Sequence, residues 1–150
     1  MFNGERYEIN SASTGITEAD GTGATWKDIW DFKVGLNQWI ILNPQDIFSA
    51  YLIGDDAAEM PKTTRVRIVK RDVTNEDAKP VLSELPYQRL KAFTDRDLLM
   101  HLAITDRLEV GPEEHIVVQV NGVDAAGTGD LDASASYFKI FTHRRKKIIG

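Results

Sequence analysis

The chain has no cysteine and only three histidines. Without cysteine there is no disulfide framework, no thiol nucleophile and no thiolate metal site. His101, His115 and His143 stand apart, with no His-Glu-x-x-His or His-x-His spacing, so no metal-ligand motif is present. Long apolar runs are also missing. Trp39 to Leu42 and Ile47 to Ile53, the second interrupted by Ser49, fall far short of the roughly 20 residues that span a bilayer. Met1 to Asn10 carries Glu5, Arg6 and Glu8 and no apolar core of leader-peptide length, and Asn10-Ser11-Ala12 fails as a glycosylation acceptor. The expectation is a product that stays in the cytoplasm or enters a particle assembled there.

Catalytic motifs are scarce. No Gly-x-Ser-x-Gly elbow occurs. Gly21-Thr-Gly23 and Gly127-Thr-Gly129 lack the third glycine of a phosphate loop, because Trp26 and Asp132 stand in its place. Glu113-Glu114 and Asp55-Asp56 are adjacent pairs that point to opposite sides of a strand, which makes them poor acid–base partners. Asp124, Asp130 and Asp132 are the best candidates for a calcium loop, but their spacing is not that of an EF-hand and no glutamate closes it, so a solvated turn is the preferred reading. No cofactor, metal or enzymatic activity is expected.

What is present is an ordinary globular composition: 150 residues, 42% hydrophobic and 27% charged. That length suits one domain, which buries roughly 68–70% of its unfolded surface and needs no metal to fold. The net charge of -5 is uneven, since Arg144, Arg145, Lys146 and Lys147 form one short basic run. Without that run, 14 basic residues face 23 acidic ones, a balance of -9. An acidic body of this kind lacks the broad basic face that duplex binding uses, so nucleic acid is not an expected partner. The run reads either as a solvated chain end or as a contact with an acidic partner surface.

Residues 11 to 25 are small, polar and glycine-rich, with Ile16 as their one large apolar side chain. Residues 1–25 are therefore expected to form a flexible or extended N-terminal arm, with a single domain over 26–150. Removing the arm is expected to leave the fold intact and weaken assembly.

The body reads mostly as strands. Trp39 to Leu42 is a buried-strand signal. Thr64 to Val73 places Val66 and Ile68 on one face and Arg65, Arg67 and Arg71 on the other, as in a half-exposed antiparallel strand. His115 to Val120 is a strand closed by Asn121-Gly122, and Ser136 to Thr142 is a last one rich in aromatic and β-branched residues. Thr74 to Lys79 reads as a polar turn, Pro80 and Pro86 punctuate the segment after it, and Ala125 to Ala133 reads as a loop. Residues 26–34, 44–53 and 94–104 fit strand and helix alike. In the first, Trp26, Trp30, Phe32 and Val34 alternate, while Thr25 and Asp28 make a capping box. In the second, Pro44 either opens a helix or kinks two strands. In the third, Leu98, Met100, Leu102 and Ile104 alternate, while Thr94 and Asp97 suit a helix start. The fold class expected is an all-β antiparallel sandwich of the jelly-roll kind with an extended N-terminal arm, with α+β as the alternative.

Three stretches carry a family resemblance: Trp39-Ile-Ile-Leu-Asn-Pro44, Val110 to Gly122, and Ala135-Ser-Tyr-Phe-Lys-Ile-Phe141. With the polar arm, the acidic body and the scarcity of catalytic motifs, the chain resembles the small single jelly-roll proteins of viruses and phages that decorate (cement) a capsid or cap its vertices. The resemblance implies a non-enzymatic virion protein, forming a homo-oligomer (a trimer or pentamer) on a capsid protein, with no membrane partner. The residues expected at its contacts are Ile16, Trp26, Trp30, Arg144, Arg145, Lys146 and Lys147. Gly111 to His115 also resembles the second cupin motif in outline, but its glycine and proline are displaced and no His-x-His precedes it. The reading from another class is a carbohydrate- or ligand-binding sandwich, which requires Trp26, Trp30 and Trp39 to line one exposed face.

Overall fold

A computed structural model describes residues 5–10, 26–51, 65–74, 77–86, 100–101, 107–121 and 137–146. Among these residues every regular element is a strand. In chain order they are β1 (Glu5–Asn10), β2 (Lys27–Lys33), β3 (Gln38–Leu42), β4 (Ile47–Tyr51), β5 (Arg65–Arg71), β6 (Asp77–Pro86), β7 (Met100–His101), β8 (Leu108–Val110), β9 (His115–Asn121) and β10 (Tyr137–Lys146).

All pairing is antiparallel and forms two sheets. In the first, β10 is the long central strand. One of its edges pairs with β1, from Glu5↔Arg144 to Asn10↔Lys139. Its other edge pairs with β3 (Ile41↔His143) and then with β4 (Ile47↔Phe141). β3 and β4 are thus one line of strand interrupted by a short excursion at Pro44, and β8 and β7 form a second interrupted line beyond them. The second sheet has the order β2-β9-β5-β6.

The core lies between the sheets. β9 is central in its sheet, and Ile116 to Val120 are all buried, four of these five being apolar. Its neighbours in register supply the rest of that layer, with Val118 between Trp30 and Ile68. Trp30, Ile68, Ile40, Leu42, Ile140 and Ile9 are each 1% exposed or less. Burial of each such side chain contributes roughly 1.5–3 kcal/mol. The rings of Tyr7 on β1 and Phe32 on β2 meet at 6.4 Å and join one sheet to the other. The Lys70 ammonium, on β5, donates to the carbonyl of Glu109 on β8 and adds a polar tie.

The undecided segments resolve as strands where they are described. Residues 27–33 are β2, with a bulge between Asp28 and Trp30. Pro44 is a kink between strands, and 47–51 is β4. Of 94–104 only Met100 and His101 are described, as β7. Pro80 and Pro86 lie inside β6, which tolerates them because it is an edge strand with no ladder partner beyond it among the described residues. Residues 5–10, expected within the arm, form a strand of the first sheet with Ile9 buried in the core. Residues 11–25, with Ile16, lie outside the described residues, as do the loop carrying Asp124, Asp130 and Asp132, and Lys147.

Candidate contact surface

The outer face of the second sheet carries a closed polar network. Gln119 of β9 stands in register between Asp28 of β2 and Arg67 of β5. The Arg67 Nε donates to its amide oxygen at 2.7 Å, and its amide nitrogen donates to Asp28 at 2.7 Å. Arg71 donates twice to the Asp28 carboxylate, at 2.8 and 3.1 Å. The Arg67 guanidinium also lies 4.2 Å from the centre of the Trp26 ring. Burial alone would raise the Asp28 pKa. Hydrogen bonds from Arg71 and Gln119, with the charges of Arg71 and Arg67, outweigh it and hold the pKa below its ordinary value. At the start of β9, His115 Nδ1 lies 2.6 Å from Asp31 Oδ1. Among the described residues no group of three or more His, Asp or Glu side chains is placed to hold a metal ion.

The corner joining the sheets is built around Glu114. Its carboxylate accepts from the Gly111 amide at 2.7 Å and pairs with the Lys70 ammonium at 3.0 Å. Glu113 beside it adopts φ = 62°, the left-handed conformation that closes the Gly111–Glu114 turn after Pro112. Its amide donates to the Val34 carbonyl.

At the outer side of the first sheet, β1, β10 and the Pro44 excursion enclose an open groove of about 530 Å³. It is lined by Arg6, Glu8, Gln45, Asp46 and Phe141, among others, and Phe141 is 41% exposed. The excursion is held by Asp46. Its carboxylate accepts from the Asn43 amide at 2.9 Å and from the Thr142 hydroxyl at 2.7 Å. That hydroxyl also lies 2.6 Å from the Ile41 carbonyl. Above this, Arg144 donates to Glu5 through Nε at 2.8 Å and sits 4.1 Å from the centre of the Tyr7 ring.

The residues expected at contacts are therefore dispersed. Trp30 is 1% exposed and belongs to the core, because β2 turns it inward against Val118. Trp26 is half-buried under Arg67 on the second sheet, and Trp39 is half-buried on the first, so the tryptophans do not share one exposed face. Arg144 is bound to Glu5 within the chain, and Arg145 and Lys146 sit in β10 opposite Trp39 and Gln38. Sequence reasoning missed Glu5 and Tyr7 as partners of Arg144. The available signal was the Tyr7–Ile9 alternation between charged neighbours.

No protein-family model matches the sequence, and comparison with curated protein sequences finds no match. The fold does have a counterpart among solved structures. The chain is similar to VP17, a capsid protein of bacteriophage P23-77, with a TM-score of 0.57 at 7% identity. The match covers 98% of this chain and 99% of that one. At this identity the likeness is one of fold, and it extends over nearly the full length of both chains.

Proposed function

We propose that the chain is a non-enzymatic structural protein of a virus particle, a single jelly roll that decorates or caps a capsid through contacts between subunits. The observation that carries this reading is the end-to-end likeness to a phage capsid protein. Strand order supports the jelly roll. With the two interrupted lines joined, the sheets run first-eighth-third-sixth and second-seventh-fourth-fifth. That is the order produced by wrapping a hairpin of paired strands into a sandwich of two Greek keys.

The surface supports a contact role. Asp28, Arg67, Arg71 and Gln119 on the second sheet are paired with one another, and the exposed ring of Phe141 lies in a groove beside β1. In this reading the chain forms a trimer or pentamer seated on a shell protein, with the groove side and residues 11–25 as contact elements. The carbohydrate-binding reading is not favoured, because the tryptophans are divided between the core and two different sheets.

The test is incorporation into particles. Gold-labelled antibody against the chain is expected to decorate intact virions in electron micrographs, at a fixed ratio to the main shell protein. A chain found only in the soluble fraction of infected cells, and never in purified particles, overturns the reading.

A further inference from the structure

Among the described residues four lines of strand form the margins of the two sheets: β1 and β8/β7 in the first, β2 and β6 in the second. A sheet margin presents unpaired N–H and C=O groups, and proteins ordinarily blunt it with short strands, prolines, bulges or charged side chains. Three of the four margins here are blunted. β6 contains Pro80 and Pro86, and its register with β5 is irregular. β8 and β7 are three and two residues long. β2 is bulged between Asp28 and Trp30. β1 has no proline, bulge or shortening; what it carries is charge, at Glu5, Arg6 and Glu8. Its six residues contain neither proline nor glycine and keep unbroken register with β10. Among the described residues no strand pairs with its other edge.

We propose that β1 is a docking edge for β1 of a second copy of this chain, in antiparallel pairing centred on Tyr7. The side chains select the register. Ile9 faces the core, while Arg6 and Glu8 are exposed. Keeping both copies' core faces on the same side of the joined sheet requires a residue of β1 to meet its own equivalent at the two-fold axis. Centring on Arg6 sets two arginines directly opposite, and centring on Glu8 sets two glutamates opposite; both are unfavourable. Centring on Tyr7 sets Arg6 opposite the partner's Glu8, and Glu8 opposite the partner's Arg6. Phe141 lies beside Glu8 in the ladder and borders the joint with its exposed ring. The contact is isologous, so it closes as a pair and does not propagate into a fibre. It is compatible with rings of three or five, since closed shells link such rings across two-fold axes. The inference stands apart from the virion reading: self-association is measured on the purified chain, incorporation on particles.

The test is a charge swap read by sedimentation equilibrium across a concentration series, with circular dichroism confirming the fold of each variant. The wild-type chain is expected to associate in pairs. Arg6→Glu alone and Glu8→Arg alone each place like charges opposite one another twice, and each raises the dissociation constant roughly tenfold or more. The double variant Arg6→Glu/Glu8→Arg restores complementarity and pairing. A wild-type chain that stays monomeric, an Arg6→Glu chain that pairs as well as wild type, or a folded double variant that remains monomeric overturns the proposal.

Discussion

Arg71 grips Asp28 with both terminal nitrogens even though strand β9 lies between their two strands. The grip spans the sheet because Gln119, on the intervening strand, also donates to Asp28 and fixes the carboxylate in place. Three strands are thereby bound by one carboxylate on the face of the sheet opposite Trp30, Val118 and Ile68.

That carboxylate makes stability depend on acidity. Its folded-state pKa is depressed below 3.8, so the stabilisation is complete above that value and is lost as pH falls through the lower folded-state pKa. Asp28→Asn is expected to be less stable than wild type near neutral pH. The gap narrows as pH falls below about 4, where wild type gives up its advantage. Urea titrations across this range test it; a gap that stays constant with pH contradicts the assignment.

The Pro44 excursion depends on a buried polar pair. Asp46 is 8% exposed and Thr142 is 3% exposed. Thr142→Val keeps the shape but removes the hydroxyl, leaving Asp46 with one partner fewer, at an expected cost of about 1–3 kcal/mol. Asp46→Ala also strips the acceptor from the Asn43 amide and costs at least as much. Denaturant midpoints measure both.

β1 contributes to the core as well as to an edge. Ile9→Ala is expected to cost about 2–5 kcal/mol, the range for emptying a buried isoleucine site. Truncation after Asn10 additionally exposes the β10 edge from Lys139 to Arg144 and removes the Glu5 partner of Arg144. The truncated chain is expected to melt at a lower temperature and to aggregate. An unchanged melting temperature restores the view of this segment as a dispensable arm.

Glu113 is the one described non-glycine residue with positive φ. Its ion pair with Lys33, at 3.9 Å, is long and exposed, and contributes little. Glu113→Gly relieves a left-handed backbone that costs a side-chain-bearing residue about 1 kcal/mol. A rise in the thermal midpoint is the expected result, and a fall counts against strain at this turn.

How far the fold is legible depends on whether a strand's signal lies in its own residues. β5 and β9 are plain, because alternation in one and a β-branched run closed by Asn121-Gly122 in the other leave little choice of element. β2 and β4 are ambiguous, since Trp26, Trp30 and Val34 satisfy both periods in the first and Pro44 suits either element in the second. The pairing of β2 with β9 settles the first, and the pairing of β4 with β10 the second. β6 is hidden by its prolines, which an edge position tolerates. β1 is hidden by its surroundings: Tyr7 and Ile9 alternate, but the polar stretch after them suggests an arm. The basic run from Arg144 misleads for a related reason. Four successive cations resemble a chain end, and only the partner strands reveal that Arg144 lies over Tyr7. The site is less legible than the fold. Arg67, Gln119 and Asp28 are far apart in sequence and meet only through register.

The first and last described strands lie side by side, and this sets an order of events in synthesis. β10 is the centre of its sheet, and β1, β3 and β4 all hydrogen-bond to it. None of these three strands has that partner until β10 has left the ribosome, roughly seven to thirty seconds after β1 at ordinary rates of elongation. During that interval β1 waits with both edges open, and copies emerging close together on one message can find each other before they find their own last strand.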